Sequence, residues 1–549
     1  MFTVNEFIDI FEKSLSGEDV DSFKKYSSLM GIYTERNDGR YMIRYRFNGG
    51  VIKPTELEGI ANVLKELEFN KIHFTTRQDL QFHRLTAEEL KKVLSLCEGV
   101  GISSRGTGGP STRNIQISPL SGVVKDEDYD ITPYVLKATN YVLNDDPIYT
   151  LPKKYKVSVS NNFKDTVNAT ISDLGIITKK KSGKKGFKVY GAGGLGNSPN
   201  VSILLCEFDE AENILYHILA MRKIFDEHGD REVRAKARIR HILKRLGEEE
   251  FRNLYISELE EFKKDPSLKI VLSKEDEEAI EKSYEKYYET GYDAHPLIKF
   301  GRYRNIITKQ KQRGYYSLYI HPHGGDMSYD EIVKILDVIK GLDYEVSLRL
   351  TNTQGFYVRD IKSNDVEKFL NALPSTETED IFTSVSCTGA GTCKLGILKS
   401  KNLLHEIVRV FKDEKKSIRK SLPRVYISGC PNSCGQHLKG EIGLCGRAKK
   451  AAKGLVPYFG IFVNGNLSEN PSLGYEIGAI PARNIPSFFV ELAGLKLDSK
   501  IKGFKEFYEE NKSGVESLIE KYSQFDEEND EFYTEFGVDE KFELKVHKK

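Results

Sequence analysis

Four of the seven cysteines in this 549-residue chain fall in two short glycine-rich stretches, CTGAGTC (387–393) and GCPNSCGQ (429–436). Cys387 and Cys393 form a C-x5-C pair, and Cys430 and Cys434 form a C-x3-C pair around Pro431. Four thiolates on two loops can ligate zinc or an iron–sulfur cluster. Zinc ribbons favour C-x2-C pairs, so the wider spacings favour a larger [4Fe–4S] cubane with one sulfur ligand per iron. Glycine lets each loop bend close to a cluster and aim N–H groups at its sulfurs, while Pro431 stiffens the second loop. On spacing alone, zinc and purely structural cysteines stay open as alternatives. Cys97, Cys206 and Cys445 have no matching partner and read as small buried residues.

The first half of the chain carries the cations. MIRYRFNGG sets Arg44 and Arg46 two apart, on one face of a strand. TTRQDLQFH offers Arg77, Gln81 and His83, STRN offers Arg113, and LPKKYK sets Lys154 and Lys156 two apart. A set of this kind suits a polyanionic ligand or an oxyanion substrate. Singly, each cation is more often a surface charge; the argument rests on the whole set beside the thiols. GAGGLGNSP (191–199) reads as a loop whose backbone amides could hold carboxylates, since it lacks the context of a nucleotide fingerprint. KKKSGKK (179–185) reads as a solvated hairpin tip, with a docking patch for an acidic electron donor as the alternative.

The elements that must position these residues are written twice. RYMIRYRFNGG (40–50) matches GYYSLYIHPHGG (314–325), with Gly49-Gly50 falling on Gly324-Gly325. The helical stripe Leu57, Ile60, Val63, Leu64, Leu67 falls on Ile332, Ile335, Val338, Ile339, Leu342, and the strand IHFTTRQDLQF (72–82) on LRLTNTQGFYV (348–358). Each copy reads strand–helix–strand. A second pairing lays KVSVSNNFKDTVNATISDLGI (156–176) on RVYISGCPNSCGQHLKGEIGL (424–444) without gaps, and TGGPSTRNI (107–115) on CTGAGTCKL (387–395). Cys430 and Cys434 thereby replace Asn162 and Thr166, while Arg44 and Arg77 face Tyr319 and Thr353. Thiols have gathered in one half and cations in the other, which points to one shared, asymmetric site.

Expected units are 20–100 and 301–375 as the two α/β half-units, 101–228 and 376–499 as the strand-rich lobes, 229–300 as a charged helical connector, and 500–549 as a peripheral helical tail. The connector's arginines (GDREVRAKARIRHILKRLGEEEFRNLY, 229–255) read as a solvated face from which one or two could reach an anionic cofactor. A formal net charge of +1, with 39% hydrophobic and 30% charged residues, fits a soluble globular protein and offers no field for nucleic acid. No apolar run approaches the ~18–20 residues of a membrane span. The start MFTVNEFIDIFEKS lacks a basic n-region, and cysteine is sparse, so a cytoplasmic location is expected.

C-x5-C followed by GCPNSCGQ resembles the sirohaem- and [4Fe–4S]-dependent sulfite and nitrite reductases, over about residues 30–495 and including the duplication. That resemblance implies an α+β, internally duplicated fold: two ferredoxin-like half-units plus two sirohaem- and cluster-binding lobes with pseudo-two-fold symmetry. It implies that Cys387, Cys393, Cys430 and Cys434 hold the cluster and that Cys434 also bridges to the sirohaem iron. It assigns Arg44, Arg113, Lys154 and Lys156 to the substrate pocket, where the lysines can supply protons, and Arg77, Gln81 and His83 to sirohaem. The family reduces sulfite or nitrite with six electrons. Members of the nitrite branch usually carry asparagine where this chain has Lys156, so the Lys-x-Lys pair leans the expectation to sulfite, with nitrite as the alternative. Residues 108–112 are GGPST, without the cysteine that some sulfite reductases place there, so no covalent modification through it is expected. No flavin- or NADPH-binding module is visible, so a separate donor such as ferredoxin is the expected electron source.

Overall fold

The computed structural model describes residues 3–37, 39–143, 150–277, 301–375, 377–468 and 470–544. Four five-stranded sheets carry the architecture, in two matched pairs. In the first half-unit, Tyr41–Arg46 lies between Ile32–Thr34 and Asp79–Leu85, followed by Lys71–Phe74. The second half-unit repeats this order with Ile307–Lys309, Tyr315–Ile320, Phe356–Lys362 and Ser347–Leu350. The repeat is exact enough to share register: Arg44 lies opposite Gln81, as Tyr319 lies opposite Tyr357.

The fifth strand of each sheet comes from the other half. Asp326–Ser328 pairs with Lys71–Phe74, and Val51–Ile52 pairs with Ser347–Leu350. The turn before each exchanged strand is the Gly-Gly pair read in the sequence, and Gly49 (φ 63°) and Gly324 (φ 58°) take the left-handed backbone that glycine tolerates. The helices Pro54–Glu66 and Tyr329–Lys340 follow, one opened by Pro54 and the other by a Ser328–Glu331 capping box. Their apolar stripes bury Leu57, Ile60, Val63, Leu64, Ile332, Ile335 and Leu336 in a single core that runs through both half-units. Val4–Leu15 adds Phe7 and Phe11 to that core.

The lobes share a second topology. Gln116–Ile117, Val157–Ser160 and Leu174–Lys181 run parallel, and Lys184–Gly191 and Ile203–Glu210 complete the sheet antiparallel. Val385–Ser386, Val425–Ser428, Ile442–Ala451, Gly454–Val463 and Tyr475–Pro481 repeat it. KKKSGKK is the tip joining two first-lobe strands, with Ser182 and Gly183 both at positive φ as a two-residue hairpin turn requires.

The stretch expected as a connector is a packed layer of the first lobe. Helices Ile239–Leu246 and Glu248–Lys263 bury Ile239, Ile242, Phe251, Tyr255 and Leu259 in that lobe's core, because their apolar positions recur at helical spacing among the charges. Residues 278–300 of the expected connector lie outside the described residues. The tail likewise buries Phe504, Phe507, Tyr508 and Val515 against the second lobe. Among the described residues no helix is long and apolar enough to cross a membrane.

Two buried glutamines clamp lobes to half-units at equivalent places. Gln78 donates from Nε2 to Ile117 O and Leu350 O, each at 2.8 Å, and its Oε1 accepts from Ile117 N at 3.1 Å. Gln354 donates to Ser386 O at 2.8 Å and accepts from Ser386 N at 2.8 Å. Both are 1% exposed. Removing either amide strands buried backbone groups, so Gln78→Ala and Gln354→Ala should each cost ~2–4 kcal/mol of stability. The urea midpoint of unfolding checks this, and a loss below about 0.5 kcal/mol in both variants would show that the clamps are dispensable.

Candidate functional site

The cysteine loops meet because of strand order. CTGAGTC leaves the C-terminal end of Val385–Ser386, and GCPNSCGQ leaves that of Val425–Ser428, its parallel neighbour. Loops at the carboxyl ends of adjacent parallel strands form a shared crevice. They are stitched by Ile397 N and Leu398 N, which donate to Gly429 O at 3.1 and 3.0 Å. Glycine is required at two points of close approach: a Cβ on Gly429 would sit 2.4 Å from Leu398 O, and one on Gly435 would sit 1.9 Å from Ile427 O.

Burial raises the pKa of the Cys387, Cys393 and Cys430 thiols, Cys430 to about 12. Cys434 adds to the shift of all three, and Cys430 feels each of the other cysteines, so the quartet occupies one neighbourhood. Buried thiols of this kind become thiolates when a cationic centre compensates them. Among the described residues no three His, Cys, Asp or Glu side chains are gathered to hold a metal ion. Cys387 Sγ accepts from Gly429 N at 3.2 Å and lies 3.2 Å from Ser400 Oγ. Cys97 and Cys445 are buried, and Cys206 is half-buried, with its Sγ 3.3 Å from Phe208 O.

The cations stand at the opposite, N-terminal edge of the first lobe's parallel strands. Arg113 precedes Gln116–Ile117, and Lys154 and Lys156 lead into Val157–Ser160. Arg113 N donates to Tyr155 O at 2.8 Å, and Tyr155 N to Ser111 O at 3.0 Å. Arg113 and Arg44 converge on the carbonyl of Thr107, with Arg44 Nη1 at 3.0 Å, and Arg113 Nη2 reaches Gly109 O at 2.8 Å. With its amide oxygen turned to Arg44, Gln81 accepts from Nη2 at 2.9 Å and Nε at 3.1 Å. Arg77 donates to Gln116 Oε1 and, at 2.5 Å, to Asn114 O. His83 lies 2.7 Å from Glu35 Oε1 through Nδ1.

Electrostatics join the two groups. Burial, then Arg238 and Arg113, lower the Lys154 pKa to about 7, while Cys434 works to raise it. Burial, then Lys154, Arg77 and Arg238, push Lys156 well below its ordinary value. Direct contacts agree: Thr76 Oγ1 donates to Cys434 O at 3.2 Å, and Gln436 Nε2 donates to Thr76 O at 3.3 Å. Arg36 donates from Nε to Cys393 O at 3.3 Å and from Nη2 to Gly396 O at 2.5 Å. The first half-unit therefore touches both cysteine loops.

Several buried polar atoms in this neighbourhood have no partner among the described residues: Arg77 Nε, Arg113 Nε, His83 Nε2, Arg240 Nη1 and Ser433 Oγ. Most are N–H donors, which is the complement a polycarboxylate supplies. Cysteine loops beside such donors fit an iron–sulfur cluster next to an anionic macrocycle.

Three further participants were invisible as motifs. Tyr33 OH accepts from Gly109 N at 2.8 Å, and although burial works to raise its pKa, Arg113 and Arg44 hold the phenol below its usual value. Arg238 forms a buried two-pronged pair with Asp173, at 3.1 and 2.7 Å, and Asp173 also accepts from Lys156 N at 2.9 Å. Arg240 braces GAGGLGNSP through Ser198 O and Asn197 O, each at 2.7 Å. That loop in turn approaches the cysteine loop, for a Cβ on Gly196 would lie 3.4 Å from Asn432 O. Arg238 and Arg240 are buried, 4% and 8% exposed, so this end of the expected solvated face points inward.

The model of the nitrite and sulphite reductase 4Fe-4S domain matches residues 108–263. The model of the nitrite/sulfite reductase ferredoxin-like half domain matches twice, at 33–100 and 308–375. An assimilatory ferredoxin-dependent nitrite reductase of Haloferax mediterranei is 26% identical over 511 residues, covering 87% of this chain and 83% of its own. A ferredoxin sulfite reductase of Mycolicibacterium paratuberculosis is 22% identical over 475 residues, covering 82% and 80%. The structure of NirA from Mycobacterium tuberculosis superposes with a TM-score of 0.76 at 19% identity, covering 93% of this chain and 95% of that one. With the duplicated half-units, the paired lobes and the matched domains in agreement, the chain belongs to the sulfite and nitrite reductase family, whose cofactors are sirohaem and a [4Fe–4S] cluster.

Proposed function

We propose that this protein reduces nitrite to ammonia, taking six electrons from a ferredoxin-type donor. The observation that carries the reading is the contact of the first, cation-bearing half with the second lobe's cysteine loop, where Thr76 Oγ1 donates to Cys434 O at 3.2 Å and Gln436 Nε2 to Thr76 O at 3.3 Å. The sequence leaned to sulfite through Lys156. The higher identity and coverage of the nitrite-reducing relative, 26% over 87% of this chain against 22% over 82%, favour nitrite.

Sirohaem coupled to a [4Fe–4S] cluster supplies one-electron transfers to a bound oxyanion. Cys387, Cys393, Cys430 and Cys434 are the ligand set for the cluster, and Cys434, the exposed member, is suited to face the macrocycle. Arg77, Gln81 and His83 hold its carboxylates. Arg44 and Arg113 offer planar guanidinium forks that bind substrate oxygens. Lys154 and Lys156, with lowered pKa values, hold and release protons as oxygen leaves as water. Asp173, anchored by Arg238, fixes the backbone of Lys156. Tyr33 adds a hydroxyl beside the arginines.

Steady-state turnover of the holoenzyme with a reduced dye tests the substrate. Nitrite should exceed sulfite in kcat/KM by about tenfold or more, and the reverse order would overturn the reading. Lys156→Asn should raise the nitrite-to-sulfite ratio by roughly threefold; an unchanged ratio would remove Lys156 from substrate choice. The lowered pKa of Lys154 also has a sign. Between about 7 and 10.5 the unfolded chain holds the extra proton, so this group makes stability rise with pH across that window. In sirohaem-free protein, Lys154→Met should flatten the rise in urea midpoint between neutral pH and about pH 9; an undiminished rise would show that Lys154 titrates normally.

A further inference from the structure

The duplication pairs the cation–thiol site with a second position, and there the molecule contains a cavity of about 480 Å³. Its walls include Asn162, Thr166, Thr353, Tyr357 and Arg424. These are the repeat partners of Cys430, Cys434, Arg77, Gln81 and Lys156. The thiols are gone and the cations are fewer, yet the space remains within the ~300–1,000 Å³ range of small-molecule sites.

Its charges are arranged for an anion. Arg424 donates from Nε and Nη2 to Thr383 Oγ1 at 3.0 and 2.9 Å. Lys439, also in the wall, donates to Asn168 Oδ1 at 2.9 Å and lies 5.0 Å over the ring of Tyr426. Both of these partners are neutral, while Asp380 acts on Arg424 and Asp165 on Lys439 from further away. Of the two acids in the wall, one is charge-paired and the other has its lone pairs filled by neutral donors. Asp126 pairs with Lys164 at 2.5 Å, and Asp165 accepts from Ser160 Oγ, Ala169 N, Thr170 N and Thr170 Oγ1. An independent observation points the same way: Asn352 lines the cavity at 2% exposure, and its Nδ2 donor has no partner among the described residues. A buried donor in this state is destabilising until an acceptor arrives. Burial and Asp380 work to raise the Tyr426 pKa, but Lys439 and Arg424 hold it below the usual value.

We propose that this cavity is a second ligand site that takes a small organic dicarboxylate. Arg424, Lys439 and the Asn352 amide hold its carboxylates, and the rings of Tyr357 and Tyr426 flank its carbon frame. Two cations match one dianion and fall short of the set facing the first site, so a second polycarboxylate macrocycle does not suit it.

Calorimetric titration of the holoenzyme with phthalate tests this, with neutral dimethyl phthalate and inorganic phosphate as comparison arms. Phthalate should bind with a Kd below ~1 mM, the ester should not, and Arg424→Gln and Lys439→Gln should each weaken binding at least about tenfold. Nitrite turnover should be unchanged in both variants, so failure here is distinct from failure of the proposed activity. Should Arg424→Gln not fold, as judged by cofactor absorbance, Lys439→Gln and Asn352→Leu decide. The proposal is overturned by absence of phthalate binding, by binding unaltered in the folded variants, by binding of phosphate alone, or by phthalate competing with nitrite for the first site.

Discussion

Reciprocal exchange of two short strands, Val51–Ile52 and Asp326–Ser328, is the constraint on which the molecule's arrangement depends. Each half-unit completes the other's sheet, so the halves cannot separate without exposing two sheet edges and opening a shared core. Gln78 and Gln354 then tie the lobes to this frame through buried hydrogen bonds. The resulting pseudo-symmetry turns the N-terminal edge of one lobe's parallel strands toward the C-terminal edge of the other's. Cations that precede strands and thiols that follow them are thereby made neighbours, although they lie hundreds of residues apart.

That geometry concentrates positive charge where water is scarce. Lys154, Lys156, Arg77 and Arg113 all have pKa values lowered first by burial and then mainly by one another or by Arg238 and Arg44. Asp173, Asp79, Tyr33 and Cys434 oppose these shifts, and Asp173 is already bound by Arg238. A site in this state is stabilised by anions and is selective for them, because a neutral ligand would leave the cations uncompensated. The same desolvation brings lysine pKa values into the range where proton transfer near neutrality is feasible.

Duplication followed by divergence explains why two equivalent positions have become unequal. On one side Arg44 and Gln81 lie opposite each other across adjacent strands; on the other, Tyr319 and Tyr357 fill the same register. Aromatic rings, with centroids 5.0 Å apart, occupy volume that the cationic side leaves to side chains which can reach a ligand. The second position has a guanidinium at Arg424 where the first has Lys156, open space beside it, and Asn162 and Thr166 where the first has thiols.

The sequence by itself determined the duplication, the amphipathic helices and strand pairs, the cysteine quartet and the main cations, because each leaves a periodic or spaced pattern in a linear text. Leu57, Ile60 and Leu64 repeat as Ile332, Ile335 and Ile339, and no structure is needed to see it. Only the tertiary structure decided the strand exchange, since strands of two and three residues are too short to show a period. It also supplied Tyr33, Arg238 and Arg240, single residues whose roles come from what they touch across the fold. The apolar positions of the 229–255 stretch were legible as helix. Which charges face inward was not, because burying an arginine depends on a distant acceptor such as Asp173, and local sequence carries no record of that distance.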